Sequence, residues 1–377
     1  MSTPVRDAEI RFHATRPELP PIEAWAPYME EAYAANWFTN FGQLSRRLEN
    51  GLRAQWGGDV SAFVLASSAT AAIAAPLIAR NITGPVVIPA FTFPATLSAV
   101  RMAGAQPVVV DVDRDDWRMR PETLQRALVQ TGAKAAVIVS PFGMQSDFAE
   151  HIEVSGRQGA TLIIDSAAGL GVARDQVERS EHVFEAYSLH ATKPFGIGEG
   201  GVIVCNTRHE AAIRAALNFG LASVTAGELP NWGTNGKMSE VHAAIGLAVL
   251  ARFEARLRLR RDFAARYAQV LSVQAGIELV PNTVDSVWQV FPVLMPTESA
   301  ACHLVNEARR LGMEVRRYYR PSLSQWPEVK MLGACPVAET LASRMCCLPV
   351  YSLMSDYEAE EMLDIAVRSV ASAMEAI

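Results

Sequence analysis

Two rhythms of apolar and polar residues alternate along this chain. Short unbroken apolar runs rich in β-branched residues recur in "SAFVLA", "GPVVIPAF", "QPVVVDVD", "AKAAVIVSPFG" and "TLIID". Between them, apolar residues fall three and four positions apart, the spacing of an amphipathic helix. "FGQLSRRLENGLRAQWG" predicts a helix that stops at glycine. "SSATAAIAAPLIARN" predicts a small-residue turn and an alanine-rich helix, and "TFPATLSAVRMAG" and "RPETLQRALVQTG" predict two more. Strands that are apolar throughout, rather than on alternate positions, belong to a mostly parallel sheet covered by helices on both faces.

Further along, "HVFEAY" and "VIVC" predict strands on either side of a glycine-rich bend. Helical regions are expected at 208–222 and 238–272, separated by the polar bend "SVTAGELPNWGTNGK". In the last third, "SVWQVFPVLMP" predicts a strand, "ACHLVNEARRLGMEVRRYY" a helix and a strand, and "SDYEAEEMLDIAVRSVASAMEAI" a final amphipathic helix. Residues 1–25 are polar and carry prolines, so they read as an extended arm. A chain of 377 residues exceeds one small core. The expected division is an arm at 1–25, a large α/β domain at 26–255 and a smaller C-terminal α+β domain at 256–377.

Composition narrows the function class. The net charge of −6 disfavours nucleic acid and anionic membrane as partners. No apolar run is long enough to span a bilayer, and the first thirty residues hold no secretory leader pattern. Five cysteines without C-x-x-C spacing fit free thiols in a reducing cytoplasm and predict no metal site.

The candidate chemistry lies in three places. "SSATAA", residues 67–72, joins a strand to a helix; small residues there allow close approach of an anion to a helix N-terminus, or simply tight packing. Asp165 ends the run "LIID", where a carboxylate serves a ligand or caps the next helix. Lys193 sits in "SLHATKPFGIGEGG", a bend too rich in glycine and proline for an ordinary surface lysine. Together these supply what pyridoxal 5′-phosphate (PLP) needs: an amine for the aldehyde, a carboxylate for the pyridine nitrogen and a cradle for the phosphate. Phe93, in "AFTFPAT", is placed to stack on the ring.

These stretches, with "GTNGKMSEVHAAIGL", "WFTNFGQLSRRLE", "EVRRYYRPS" and "LPVYSLMSD", resemble the DegT/DnrJ/EryC1/StrS family of PLP-dependent, mostly sugar-directed aminotransferases. The resemblance implies fold type I: a large domain with a mostly parallel central sheet flanked by helices, and a smaller α+β domain. It implies that Lys193 is the Schiff-base lysine and Asp165 the pyridinium partner. Thr70, Ala71 and Ser188 then bind the phosphate, Phe93 stacks, and Asn235 reaches the phosphate of the neighbouring subunit in a homodimer. Two positions depart from the family pattern: Ala168 where glutamine or histidine is common, and Lys237 where arginine is usual. His190 reads as structural more than as a base, and Glu199 as orienting backbone. The cluster Arg316, Arg317 and Arg320, beside Tyr318 and Tyr319, fits either a carboxylate or diphosphate site or a solvated strand. The implied reaction moves an amino group from an amino acid, glutamate, through pyridoxamine phosphate to a 3- or 4-keto nucleotide-linked deoxysugar. Alternatives are a PLP-dependent sugar dehydratase, which the presence of lysine at 193 disfavours, an aminocyclitol aminotransferase, and a non-catalytic PLP-binding regulator.

Overall fold

The computed structural model describes residues 9–172, 180–221, 232–280 and 285–376. Most of the polar bend at 223–237 and the first eight residues of the arm lie outside this range. Residues 9–21 run extended and end at Pro21, whose φ of −62° suits the residue before a helix. Helices α1 (Ile22–Ala35) and α2 (Gln43–Trp56) follow. Then come β1 (Ser61–Ala66), α3 (Ala69–Ala79), β2 (Pro85–Pro89), α4 (Pro94–Met102), β3 (Gln106–Val110), α5 (Pro121–Thr131), β4 (Ala135–Val139), α6 (Ala149–Arg157) and β5 (Thr161–Asp165). Strands β6 (Val183–Ser188) and β7 (Gly201–Asn206) flank the glycine-rich bend, and α7 (Glu210–Leu217) and α8 (Glu240–Leu271) follow. The remainder is β8 (Glu278–Leu279), β9 (Val290–Leu294), α9 (Glu298–Arg310), β10 (Lys330–Met331), α10 (Pro336–Arg344), β11 (Met345–Pro349) and α11 (Asp356–Glu375).

Eight strands form one sheet in the order β1-β7-β6-β5-β4-β2-β3-β10. All neighbours are parallel except β7, which runs against both β1 and β6. The apolar strands are buried on both faces, and alternate residues feed two different cores. Val137 and Ile163 join α3, α4 and α7 on one face, while Ile138 and Ile164 join α2, α5 and the first half of α8 on the other. A smaller antiparallel sheet, β11-β9-β8, packs with α9 and α11. Helix α8 ties the two parts together: Ala243 and Leu247 enter one core, and Phe263, Tyr267 and Leu271 enter the other. It runs unbroken through residue 255, where the sequence suggested a division. Among the described residues, no helix is long and apolar enough to cross a membrane.

Three expectations of secondary structure need correction. The arm stops at residue 21, because 22–35 fold as α1 despite Pro27. Helix α7 ends at Leu217, short of 222: Phe219 (φ +59°) and Gly220 turn the chain so that Asn218 bridges to Asn235. Residues 314–319 form no named strand. Its backbone makes isolated bridges, Met313 to Phe12 and Arg316 to Cys347, after which the segment turns Tyr318 and Tyr319 toward the large sheet.

Candidate active site

The carboxyl ends of β1, β2, β4, β5 and β6 point to one edge of the large sheet, where folds of this class hold ligands. Ser68, Phe93, Ser140, Asp165 and Ser188 lie on that edge and line a cavity of about 410 Å3. From the bend between β6 and β7, Lys193 reaches into the same cavity. So do Thr15 from the arm and Gln289, Arg316, Tyr318 and Tyr319 from the C-terminal part.

The bend carrying Lys193 is closed by backbone hydrogen bonds, from Ala191 N to Gly198 O at 2.7 Å and from Lys193 N to His190 O at 2.8 Å. Gly198 takes a φ of +104°, a region open to glycine and strained for other residues. A Cβ at Gly201 would collide with the backbone carbonyl of Ser68. That close approach seats the start of α3 against the bend, so the glycines serve the cradle as well as the lysine.

At the N-terminus of α3, Ser68 Oγ accepts from Ala71 N at 3.2 Å. The N–H of Ala71 is therefore occupied. Those of Ala69 and Thr70 find no acceptor among the described residues, and both residues line the cavity. Two unsatisfied donors at a helix N-terminus form an anion cradle. Ser188 lies at the end of β6 with its hydroxyl accepting from His190 N at 3.2 Å, which leaves its proton to give.

Asp165 is 5% exposed. Its Oδ2 accepts from Thr96 Oγ1 at 2.7 Å and its Oδ1 from Ala167 N at 3.2 Å. Desolvation raises its pKa, and the hydrogen bonds from Thr96 and Ala167 and the charge of Lys193 oppose that rise only in part. Lys193 Nζ donates to Gln289 Oε1 at 2.8 Å. Protein encloses it except toward the cavity, and burial lowers its pKa to about 8, against the attraction of Asp165. Phe93 is 54% exposed at the start of α4 and meets Tyr319 edge-on, at 6.5 Å between ring centres. Tyr319 stacks on Phe142 at 5.3 Å, making an aromatic wall.

PLP fits this donor set. A buried carboxylate whose charged neighbour is an amine of lowered pKa suits a protonated ring nitrogen, and the free N–H groups of Ala69 and Thr70 suit a phosphate. The amino-acid sequence matches the DegT/DnrJ/EryC1/StrS aminotransferase family over residues 22–366.

The chain belongs to that family.

One relative, a dTDP-4-amino-4,6-dideoxy-D-glucose transaminase of Shigella dysenteriae, is 30% identical over 350 residues, which cover 90% of this chain and 94% of that protein. The structure of DesI in the presence of its TDP-sugar product superposes with a TM-score of 0.85 at 26% identity, covering 99% of this chain and 96% of DesI. A DegT/DnrJ/EryC1/StrS aminotransferase of Brucella abortus gives a TM-score of 0.81 at 25% identity, covering 92% and 95%. This chain is accordingly a PLP-dependent aminotransferase of fold type I.

The cavity brings together Thr70, Phe93, Asp165, Ser188 and Lys193 and leaves out Ala71; Asn235, expected at the neighbouring subunit's phosphate, lies outside it. Ala71 is engaged in capping α3. Asn235 is exposed, with its Oδ1 taking a 2.7 Å hydrogen bond from Lys237 Nζ, which also lies 4.3 Å from the centre of the Phe219 ring. Ala168 lines the cavity as a small apolar patch. The arginine cluster separates: Arg316 reaches the cavity, Arg317 donates to the carbonyls of Met345 and Ser343, and Arg320 pairs with Glu298 on the surface. His190 Nδ1 pairs with Thr192 Oγ1 at 2.9 Å, and its Nε2 lies 3.6 Å from Glu199. Sequence reasoning placed Tyr319 beside the arginine cluster without giving it a role, and missed Thr96 and Gln289. Only Gln289 had a local signal, as a polar residue at the start of the apolar run "VFPVLM".

Proposed function

We propose that this aminotransferase takes its amino group from an amino acid, glutamate, and delivers it to the keto carbon of a nucleotide-linked deoxysugar. The observation that carries the chemistry is the approach of Lys193 and Asp165 to one cavity whose floor is the N-terminus of α3. When bound there, PLP supplies an electrophilic carbon and an electron sink, and as pyridoxamine phosphate it stores the amino group between half-reactions. Ala69, Thr70 and Ser188 would hold the phosphate, and Asp165 would keep the ring nitrogen protonated. Phe93 would offer a ring for stacking. Lys193 anchors the cofactor and, once detached, carries a proton to and from the substrate carbon. An amine with pKa lowered to about 8 has a substantial neutral fraction near physiological pH, as a general base requires.

Arg316 is the one arginine among the described residues that line this cavity. Its Nε is paired with Glu314 Oε1 at 2.9 Å, and from the cavity lining it would pair with a carboxylate or diphosphate of the substrate. The sugar substrate is supported by the dTDP-sugar transaminase from Shigella dysenteriae and by the TDP-sugar product of DesI. The first of these relatives favours amination at carbon 4 of a 6-deoxysugar. The acting unit is a homodimer in the cytoplasm, with Asn235 completing the phosphate site of the opposite subunit. The test loads the protein with pyridoxamine phosphate, adds nucleotide-linked 4-keto and 3-keto sugars and an aminocyclitol ketone separately, and follows the return of PLP absorbance. Return with the 4-keto sugar is expected. Return with 2-oxoglutarate but with no keto sugar would contradict the sugar reading.

A further inference from the structure

Gln289 belongs to none of the sequence stretches that carry the family pattern, yet it touches the reactive amine. Its Oε1 accepts from Lys193 Nζ at 2.8 Å, across 96 positions of sequence. Its own backbone is fixed on both sides. Gln289 N donates to Phe142 O at 2.9 Å, and its carbonyl accepts from Arg260 Nη2 at 3.1 Å. Arg260 is buried and also donates to the carbonyls of Trp288 and Val350 and to Ser352 Oγ. The glutamine side chain thus extends from a rigid root just ahead of β9.

We infer that Gln289 is a positioning residue whose amide oxygen docks the Lys193 amine whenever that amine is detached from the cofactor. This rests on the aminotransferase reading of the site. In the first half-reaction the donor's amine would take the place of Lys193 on the cofactor, and the lysine amine would then stay free, in a largely desolvated place, until the product amine leaves at the end of the second. Left there without an acceptor it would forgo a hydrogen bond that water would otherwise supply. Gln289 supplies that acceptor without supplying charge. A carboxylate at the same position would favour the ammonium form and remove the free lone pair that proton transfer needs.

The neighbouring charges leave this role open. Toward the cavity stand Asp165, His190, Glu199 and Arg316, with the phenols of Tyr318 and Tyr319. Behind the lysine stand Arg16, Glu18 and Arg260. Asp165 already attracts the ammonium, and a neutral partner at 289 adds no second negative charge to that pull.

The test uses protein loaded with pyridoxamine phosphate, in which Lys193 carries no cofactor. Binding is read first, from cofactor absorbance co-eluting with the protein; its failure would count against the aminotransferase reading, separately from this inference. Trace acetylation by acetic anhydride from pH 6 to 11, with peptide mass spectrometry, then gives the titration midpoint of Lys193. Gln289→Glu should raise the midpoint by about one unit or more, and Gln289→Leu should lower it. Should Gln289→Leu fail to fold, the nearly isosteric Gln289→Glu still decides. A midpoint unchanged in Gln289→Glu, or raised in a folded Gln289→Leu protein, would overturn the inference.

Discussion

Burial lowers the Lys193 amine to about 8 and raises the Asp165 carboxyl, and for both groups desolvation outweighs their mutual attraction. The lysine shift has a signature in stability. Between about 8 and its ordinary value of 10.5, the unfolded chain holds a proton at Lys193 that the folded chain has lost. Stability contributed by this group therefore rises with pH across that window. In the cofactor-free protein, Lys193→Met should remove this part of the slope, measured as urea unfolding free energy from pH 7.5 to 10.5. Parallel slopes for the two proteins would contradict the burial argument. Asp165→Ala should keep the cofactor, since the α3 cradle and Lys193 remain, while turnover falls by about 100-fold or more for lack of a protonated ring. Turnover near native would remove Asp165 from the chemistry. Both residues were legible in the sequence because each follows or precedes an apolar strand at the ligand edge. Thr96 was not: its 2.7 Å hydrogen bond to Asp165 depends on α4 and β5 meeting across 69 positions.

Helix α2 begins at Gly42, which has no side chain to cap it. Glu240, at the start of α8, takes over that task. Its carboxylate accepts from Leu44 N at 2.7 Å, from Ser45 N at 3.2 Å and from Ser45 Oγ. Gly42 must lack a Cβ because one would meet this carboxyl at 2.6 Å. Glu240 is fully buried, and Glu240→Ala would strip two buried N–H groups of a charged acceptor. The expected loss is about 2–4 kcal/mol by urea unfolding; a loss below about 0.5 kcal/mol would show that the cap contributes little. The strands were readable because two-sided burial leaves an unbroken apolar run. Helix α1 was hidden by the prolines at 20, 21 and 27 and by its exposed face, on which Ala32 is its one fully buried residue. The segment at 314–319 has a strand's composition, but tertiary packing of Tyr319 against Phe142 and Phe91 overrides it.

The two parts of the molecule are joined by more than α8. Strand β10, from the C-terminal third, pairs in parallel with β3 of the large sheet. The arm is fastened to the C-terminal part by Ala14 N to Glu314 Oε2 at 3.1 Å and by Glu18 Oε1, which accepts from Ser352 N and Leu353 N at 3.2 and 3.0 Å. Thr15 is thereby held at the cavity. Phe219 and Trp232 are exposed near Asn235, and the proposed dimer would cover them. Lys193→Ala and Asn235→Ala chains, each weak alone, should complement when mixed: one site of the mixed dimer is wholly native, so random exchange restores activity toward about a quarter of native. No recovery after proven exchange would place Asn235 outside the partner's site. The attachment of the cofactor to Lys193 underlies every role proposed for the active site. Borohydride reduction of the purified protein loaded with PLP, followed by peptide mapping, tests it most directly. The account predicts the reduced adduct on the peptide containing Lys193, and an adduct on any other lysine, or none, would contradict it.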